Sequence, residues 1–131
     1  MNKSLLVDTH TLLWYDDEPD KLSGAVRKVL RNPNATIFVS PISLYEIAQK
    51  VRRRSLPSAT HLVNEIHVRL RLYGFTILPV NDHHALRAAN LDWDHRDPFD
   101  RMIAAQALEE HCVLVTKDVA FAGVSGLKTL W

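Results

Sequence analysis

The sequence predicts an α/β domain, with a parallel sheet of about five strands covered on both faces by helices. Three observations lead there. Short apolar runs recur without polar alternation, as expected of strands buried on both faces. Segments of helical spacing or composition separate the runs, the pattern of a parallel sheet built from crossovers. Acids follow the ends of two runs, at the edge where such sheets bind ligands.

The first run is LLV (5–7), followed by Asp8, which can cap a helix beginning near Thr9. KLSGAVRKVLRN is the next helical segment, and TIFVS (36–40) the second strand. In PISLYEIAQKVRRR, the Ser40 and Pro41 pair predicts the helix start and leaves Glu46 free, although Ser43 and Glu46 also have capping-box spacing. SATHLVNEIHVRLRLYG reads as one helix with Leu62, Val63, Ile66, Leu70 and Tyr73 on a shared face and Gly74 as its stop. FTILPV (75–80) is the third strand and HHALRAANL a further helix, after which residues 92–97 carry no assignment. In HRDPFDRMIAAQA, Asp97 fits an N-cap, Pro98 the first helical position, and Asp100 the first turn, where a carboxylate faces the positive end of the helix dipole. CVLVT (112–116) and LKTLW (127–131) complete the strands.

At 131 residues the chain predicts a single domain, 1–131, with no internal repeat or low-complexity linker. A formal net charge of +1 argues against wholesale basicity, so any phosphate-binding surface must come from local clustering. The lone cysteine, Cys112, excludes an internal disulfide and a cysteine-based zinc site and fits a reduced, cytoplasmic setting. The apolar stretch in MNKSLLVDTH is shorter than a signal-peptide core, and no run approaches a membrane span.

Asp8 and Asp118 fall at carboxyl ends of expected strands, Glu46 lies in the helix after the second strand, and Asp100 opens the helix before the fourth. Each has an ordinary reading as a cap or turn residue, but those readings predict no convergence, whereas strand-end placement does. Carboxylates that converge raise one another's pKa and lower stability unless a cation joins them. An all-carboxylate set suits Mg²⁺ or Mn²⁺, the ions of phosphate chemistry.

Four motifs, LLVDTHTLLW, SPISLYEIAQK, HRDPFDRMIAAQA and LVTKDVAF, resemble those of PIN-domain nucleases, and within them the VapC-type toxins of bacterial toxin–antitoxin pairs. The resemblance runs over nearly the whole chain, with all four motifs in order. It implies a three-layer α/β/α fold and a metal-dependent endoribonuclease in which Asp8, Glu46, Asp100 and Asp118 bind Mg²⁺ or Mn²⁺, supported by Asp97 and by the Thr116 hydroxyl. It also implies RNA as substrate, a cognate antitoxin and a homodimer.

Arg96 and Arg101, with His95, flank the expected site and are candidates for RNA contact. Arg53, within the basic end formed by Lys50 and Arg52 to Arg54, is another, although cations at a helix C-terminus are also favoured by the dipole. His83 and His84 lack zinc-ligand spacing. Trp14 and Tyr15 could stack on a base, but packing is the expectation. A signalling receiver is the competing function; it needs a phosphoacceptor at the end of a central strand, and neither TIFVS nor FTILPV ends in an acid. A PIN fold kept only as a binding module is a third.

Overall fold

The computed structural model describes residues 3–131. Five strands, β1 (Ser4–Val7), β2 (Thr36–Val39), β3 (Phe75–Ile77), β4 (Val113–Val115) and β5 (Thr129–Leu130), form one parallel sheet in the order β3-β2-β1-β4-β5. All five runs read as strands lie in this sheet. The third is shorter than FTILPV: Leu78 still donates its backbone N–H to Val39, but Pro79 has no N–H with which to continue the ladder.

Because side chains alternate across a strand, β1 supplies both cores. Leu5 and Val7 point to one face, where they pack with Leu12, Val26, Ile47, Leu62 and Leu70. Leu6 points to the other and joins Leu114, Ile103, Ala104 and Phe121. The first layer is built from α1 (Thr9–Asp17), α2 (Gly24–Leu30), α3 (Pro41–Arg52), α4 (Thr60–Asn64) and α5 (Ile66–Tyr73); α7 (Pro98–Glu109) covers the opposite face with α6 (Asp82–Asn90) packed on it. This is the expected three-layer α/β/α arrangement.

Asp8, Ser40 and Asp97 start helices as read from the sequence, and Ser23 and Asn81 add two starts that were not read there. Asp8, Ser23, Ser40, Asn81 and Asp97 each accept a hydrogen bond from a free N–H of the first turn. Ser40, not Ser43, caps α3, and so Glu46 is free of any capping box. One expectation needs correction. SATHLVNEIHVRLRLYG is two helices, because the backbone leaves the helical region at Glu65 (φ −117°, ψ 24°). Leu62 from α4 and Leu70 from α5 still pack into the same core. The chain then stops at Gly74 in the left-handed conformation (φ 75°), as expected.

Cys112 sits in the second core at 5% exposure, and burial, aided by the nearby Glu110 charge, pushes its thiol up to about 11. Its thiolate is therefore scarce at pH 8. Native protein should react with a thiol-specific disulfide reagent about a hundredfold more slowly than the urea-unfolded chain; equal rates would show that Cys112 is not held in this core.

Candidate metal centre at the carboxyl edge of the sheet

The strand order reverses between β1 and β4, because the chain builds outward from β1 through β2 and β3 and then returns to β4 beside β1. Such a switch point opens a crevice beyond the strand ends. Asp8 lies at the end of β1, and Thr116 and Asp118 follow β4. α7 leads into β4 from the same edge, so its first turn brings Asp100 there, while α3 leaves the end of β2 and carries Glu46.

Thr116 joins the first two acids. Its buried hydroxyl donates to Asp8 Oδ2 at 2.5 Å and accepts the Asp118 backbone N–H at 3.0 Å. Asp8 is itself 7% exposed, and its Oδ1 accepts from the Thr11 backbone N–H and from the Thr11 hydroxyl, the latter at 2.6 Å. Asp118 is exposed, accepts from the Ala120 N–H, and borders one depression together with Asp8.

The other two acids form a second pair. Glu46 lies 2.9 Å from the Thr9 hydroxyl and 3.2 Å from Lys50 Nζ. Since Thr9 directly follows Asp8, this contact ties the Glu46 helix to the Asp8 corner. Asp100 accepts a hydrogen bond from His95 Nε2 at 2.7 Å. Burial raises the Asp100 carboxyl above its ordinary range; His95 opposes the rise, and the negative charges of Asp97 and Glu46 add to it. Two carboxylates thus press charge on a half-buried third.

Asp97 caps α7 through the Phe99 N–H, and its carboxylate, that of Asp100 and the His95 ring offer ligand atoms all within 4.8 Å of one another. Among the described residues this is the one trio spaced so closely. The four acids therefore share an edge but arrive as two pairs, Asp8 with Asp118 and Glu46 with Asp100. The donor chemistry still fits a hard divalent ion: the quartet offers only carboxylate oxygens, and Asp100 is crowded by negative charge that a cation would relieve.

The expected RNA-contacting arginines separate. Arg96 and Arg53 are exposed. Arg101 is not available in that way, which corrects its reading as an RNA ligand. Its guanidinium donates to four backbone carbonyls, those of Ala88, Leu91, Trp93 and His95, at 2.7 to 3.1 Å. It ties down the 92–97 segment from beneath. Trp93 secures the same segment by donating to the Ala120 carbonyl and packing on Phe121.

His95 as the Asp100 partner, and Thr9 and Thr11 as hydroxyl supports, were not read from the sequence. The sequence carries no local signal for the threonines, since Thr9 and Thr11 open α1 and residues two apart on a helix do not share a face. His84, weighed as a zinc ligand, is buried instead, accepting the Asn81 N–H and pairing with Glu110 at 2.8 Å. Trp14 and Tyr15 pack on the first core, Trp14 against Trp131 and Tyr15 against Tyr73 and Phe75. The receiver reading fails on topology. A receiver sheet runs 2-1-3-4-5, with a different strand at its centre, whereas β1 is central here.

Comparison with known proteins converges on one family. The PIN-domain model matches residues 5–127. Ribonuclease VapC22 of Mycobacterium tuberculosis is 28% identical over 118 residues, covering 88% of this chain and 87% of that protein. VapBC2 from Rickettsia felis, solved bound to a promoter DNA fragment, superposes with a TM-score of 0.73 at 20% identity, over 98% of both chains. A toxin–antitoxin complex from Klebsiella pneumoniae gives 0.66 at 21% identity, over 97% of this chain and 96% of that one. At those identities the structural likeness is one of fold.

Proposed function

The chain belongs to the PIN-domain family, which matches it over residues 5–127, and from that membership we propose that it is a divalent-metal-dependent endoribonuclease of the VapC toxin type. The observation that carries the reading is the placement of Asp8, Glu46, Asp100 and Asp118, from four distant segments, as two pairs along the sheet edge that holds the switch point. The likeness to a ribonuclease named VapC22 supplies the substrate class.

In this reading Asp8, Glu46, Asp100 and Asp118 would hold Mg²⁺ or Mn²⁺. Bound there, the ion would lower the pKa of a coordinated water and stabilise charge on the phosphoryl oxygens. The protein's own contribution is orientation. Thr116 fixes Asp8 and the Asp118 backbone with one hydroxyl, Thr9 and Lys50 aim Glu46, and His95 turns Asp100. Asp97 supports Asp100 from the helix cap. Arg96 and Arg53, exposed on the surface, are proposed phosphate contacts.

The proposal extends to a protein partner, since the Klebsiella relative is a toxin–antitoxin complex. A basic side chain of an antitoxin can occupy a carboxylate pocket by charge-assisted hydrogen bonds. A homodimer is part of the same reading, with exposed Val68 and Leu72, one turn apart on α5, as apolar surface. No helix of the described residues is long and apolar enough to cross a membrane.

The purified chain should cleave members of a panel of structured RNAs with Mn²⁺ or Mg²⁺ and not with EDTA, and saturating Mn²⁺ should raise its melting temperature by several degrees through preferential binding to the folded state. Ca²⁺ should raise the melting temperature without supporting cleavage, because its looser coordination orients water poorly. If millimolar Mn²⁺ changes neither melting nor RNA integrity, the metal-site reading is wrong. RNA binding without turnover would favour the non-catalytic module.

A further inference from the structure

We propose that His10, Trp14, Lys117 and Val119 form a nucleotide subsite that holds the RNA residue flanking the cleaved phosphate; this deepens the ribonuclease reading and rests on it. α1 starts at the Asp8 cap, and its first residues divide sharply. Thr9 and Thr11 are buried, whereas His10 between them is exposed. Trp14 lies four residues on, one turn along the same face, with ring centroids 5.6 Å apart and planes inclined by 46°. The two rings make an aromatic wall beside Asp8.

That wall borders a depression of about 410 Å³ whose remaining lining is Asp8, Lys117, Asp118 and Val119. The two candidate metal ligands stand in the same depression as the aromatic pair and the cation. Lys117 Nζ is 5.9 Å from the Trp14 ring centroid. Val119, directly after Asp118, is 86% exposed, an apolar side chain at the rim with no part in either core. Apolar and aromatic surface with one ammonium suits a nucleotide, whose base offers a π face and whose phosphate offers a charge. The His10 and Trp14 rings offer their faces to a base, and stacking of that kind is tolerant of sequence.

Two other depressions fit RNA less well. One of about 380 Å³ also touches His10 and Trp14, but Asp16, Asp17 and Glu18 outnumber Lys21 and Lys50 in its lining, and it borders none of the four acids. The larger one along α2, about 830 Å³ with Arg27, Lys28 and Arg31, borders none of the four acids.

The test is steady-state cleavage, with Mn²⁺, of hexaribonucleotides that carry an abasic residue at each position in turn. For the unmodified protein, KM should rise about tenfold when the abasic residue flanks the cut, in keeping with loss of one base stack. His10→Ala should raise KM for the intact hexamer by a similar factor, with kcat within about twofold. It should also be insensitive to the abasic residue at that position, a coupling that a merely structural histidine would not produce. Lys117→Gln should lower the salt dependence of KM by about one phosphate contact. If the unmodified protein cleaves and His10→Ala matches it on every hexamer, the subsite is wrong and the ribonuclease reading stands. If the unmodified protein cleaves no RNA, both fall.

Discussion

Asp100→Asn should lower Mn²⁺-dependent RNA cleavage by about three orders of magnitude, the scale expected when several kcal/mol of charge stabilisation at a metal site is lost. The metal-free protein should be as stable as the parent or slightly more so. Burial already disfavours the Asp100 charge, and Asp97 and Glu46 add repulsion, so a neutral amide of the same shape removes an unfavourable term. Its carbonyl can still accept from His95, whose Nε2 lies 2.7 Å from the carboxylate. Asp97 makes the control. Asp97→Asn keeps the cap on the Phe99 N–H, because Asn caps about as well as Asp, whereas Asp97→Ala should cost ~1 kcal/mol. Activity in Asp97→Asn should fall only about tenfold, as for a group supporting a ligand. Loss of a helix cap cannot give an inactive protein of undiminished stability. Full activity in Asp100→Asn would sink the assignment, and an inactive Asp97→Asn of normal melting temperature would place Asp97 among the direct ligands.

What could be read in the sequence follows from how local its causes are. The strands were legible because residues such as Leu5, Leu6 and Val7 are buried on both faces, which imposes an unbroken apolar run. Ser40 with Pro41, and Asp97 with Pro98, marked helix starts because capping is settled within three residues. Gly74 marked a stop for the same reason. Arg54 and His111 take the left-handed conformation just past the ends of α3 and α7 without being glycine, so nothing local announced them. The bend at Glu65 was hidden because no proline or glycine marks it between Thr60 and Tyr73.

The candidate site divides along the same line. Strand-end position pointed to Asp8 and Asp118, whereas the Thr116 hydroxyl between them came only from the family resemblance, because its bond to Asp8 spans 108 residues. Nor could spacing show that Glu46 leans on Thr9, 37 residues away. Residue type misled at one position. An arginine beside a phosphate-binding site invites a phosphate contact, yet the side chain has five N–H donors that serve carbonyls equally well, and the unassigned 92–97 segment contains carbonyls with no helix or strand to satisfy them.

Arg101→Ala should therefore act through stability first. Four carbonyls, those of Ala88, Leu91, Trp93 and His95, lose a charged donor at once. With hydrogen bonds to charged groups worth roughly 1.5 to 3 kcal/mol each, and partial solvation of a half-buried guanidinium discounting them, the net cost should be about 3 kcal/mol. In a chain of this length that lowers the melting temperature by about 10 °C. Arg101→Lys should recover less than half, because an ammonium on a flexible stem cannot serve four carbonyls in a planar fork. Activity should fall with both variants, since the segment that Arg101 fastens carries His95 to Asp100 and Asp97 to the start of α7. The order of effects is the discriminating observation. A phosphate-contacting arginine would leave metal-free melting unchanged, raise KM and reduce the salt dependence of RNA binding by about one contact. A fastening arginine should lower metal-free melting in the absence of any RNA. Unchanged melting in Arg101→Ala, together with a raised KM, would return Arg101 to the RNA surface.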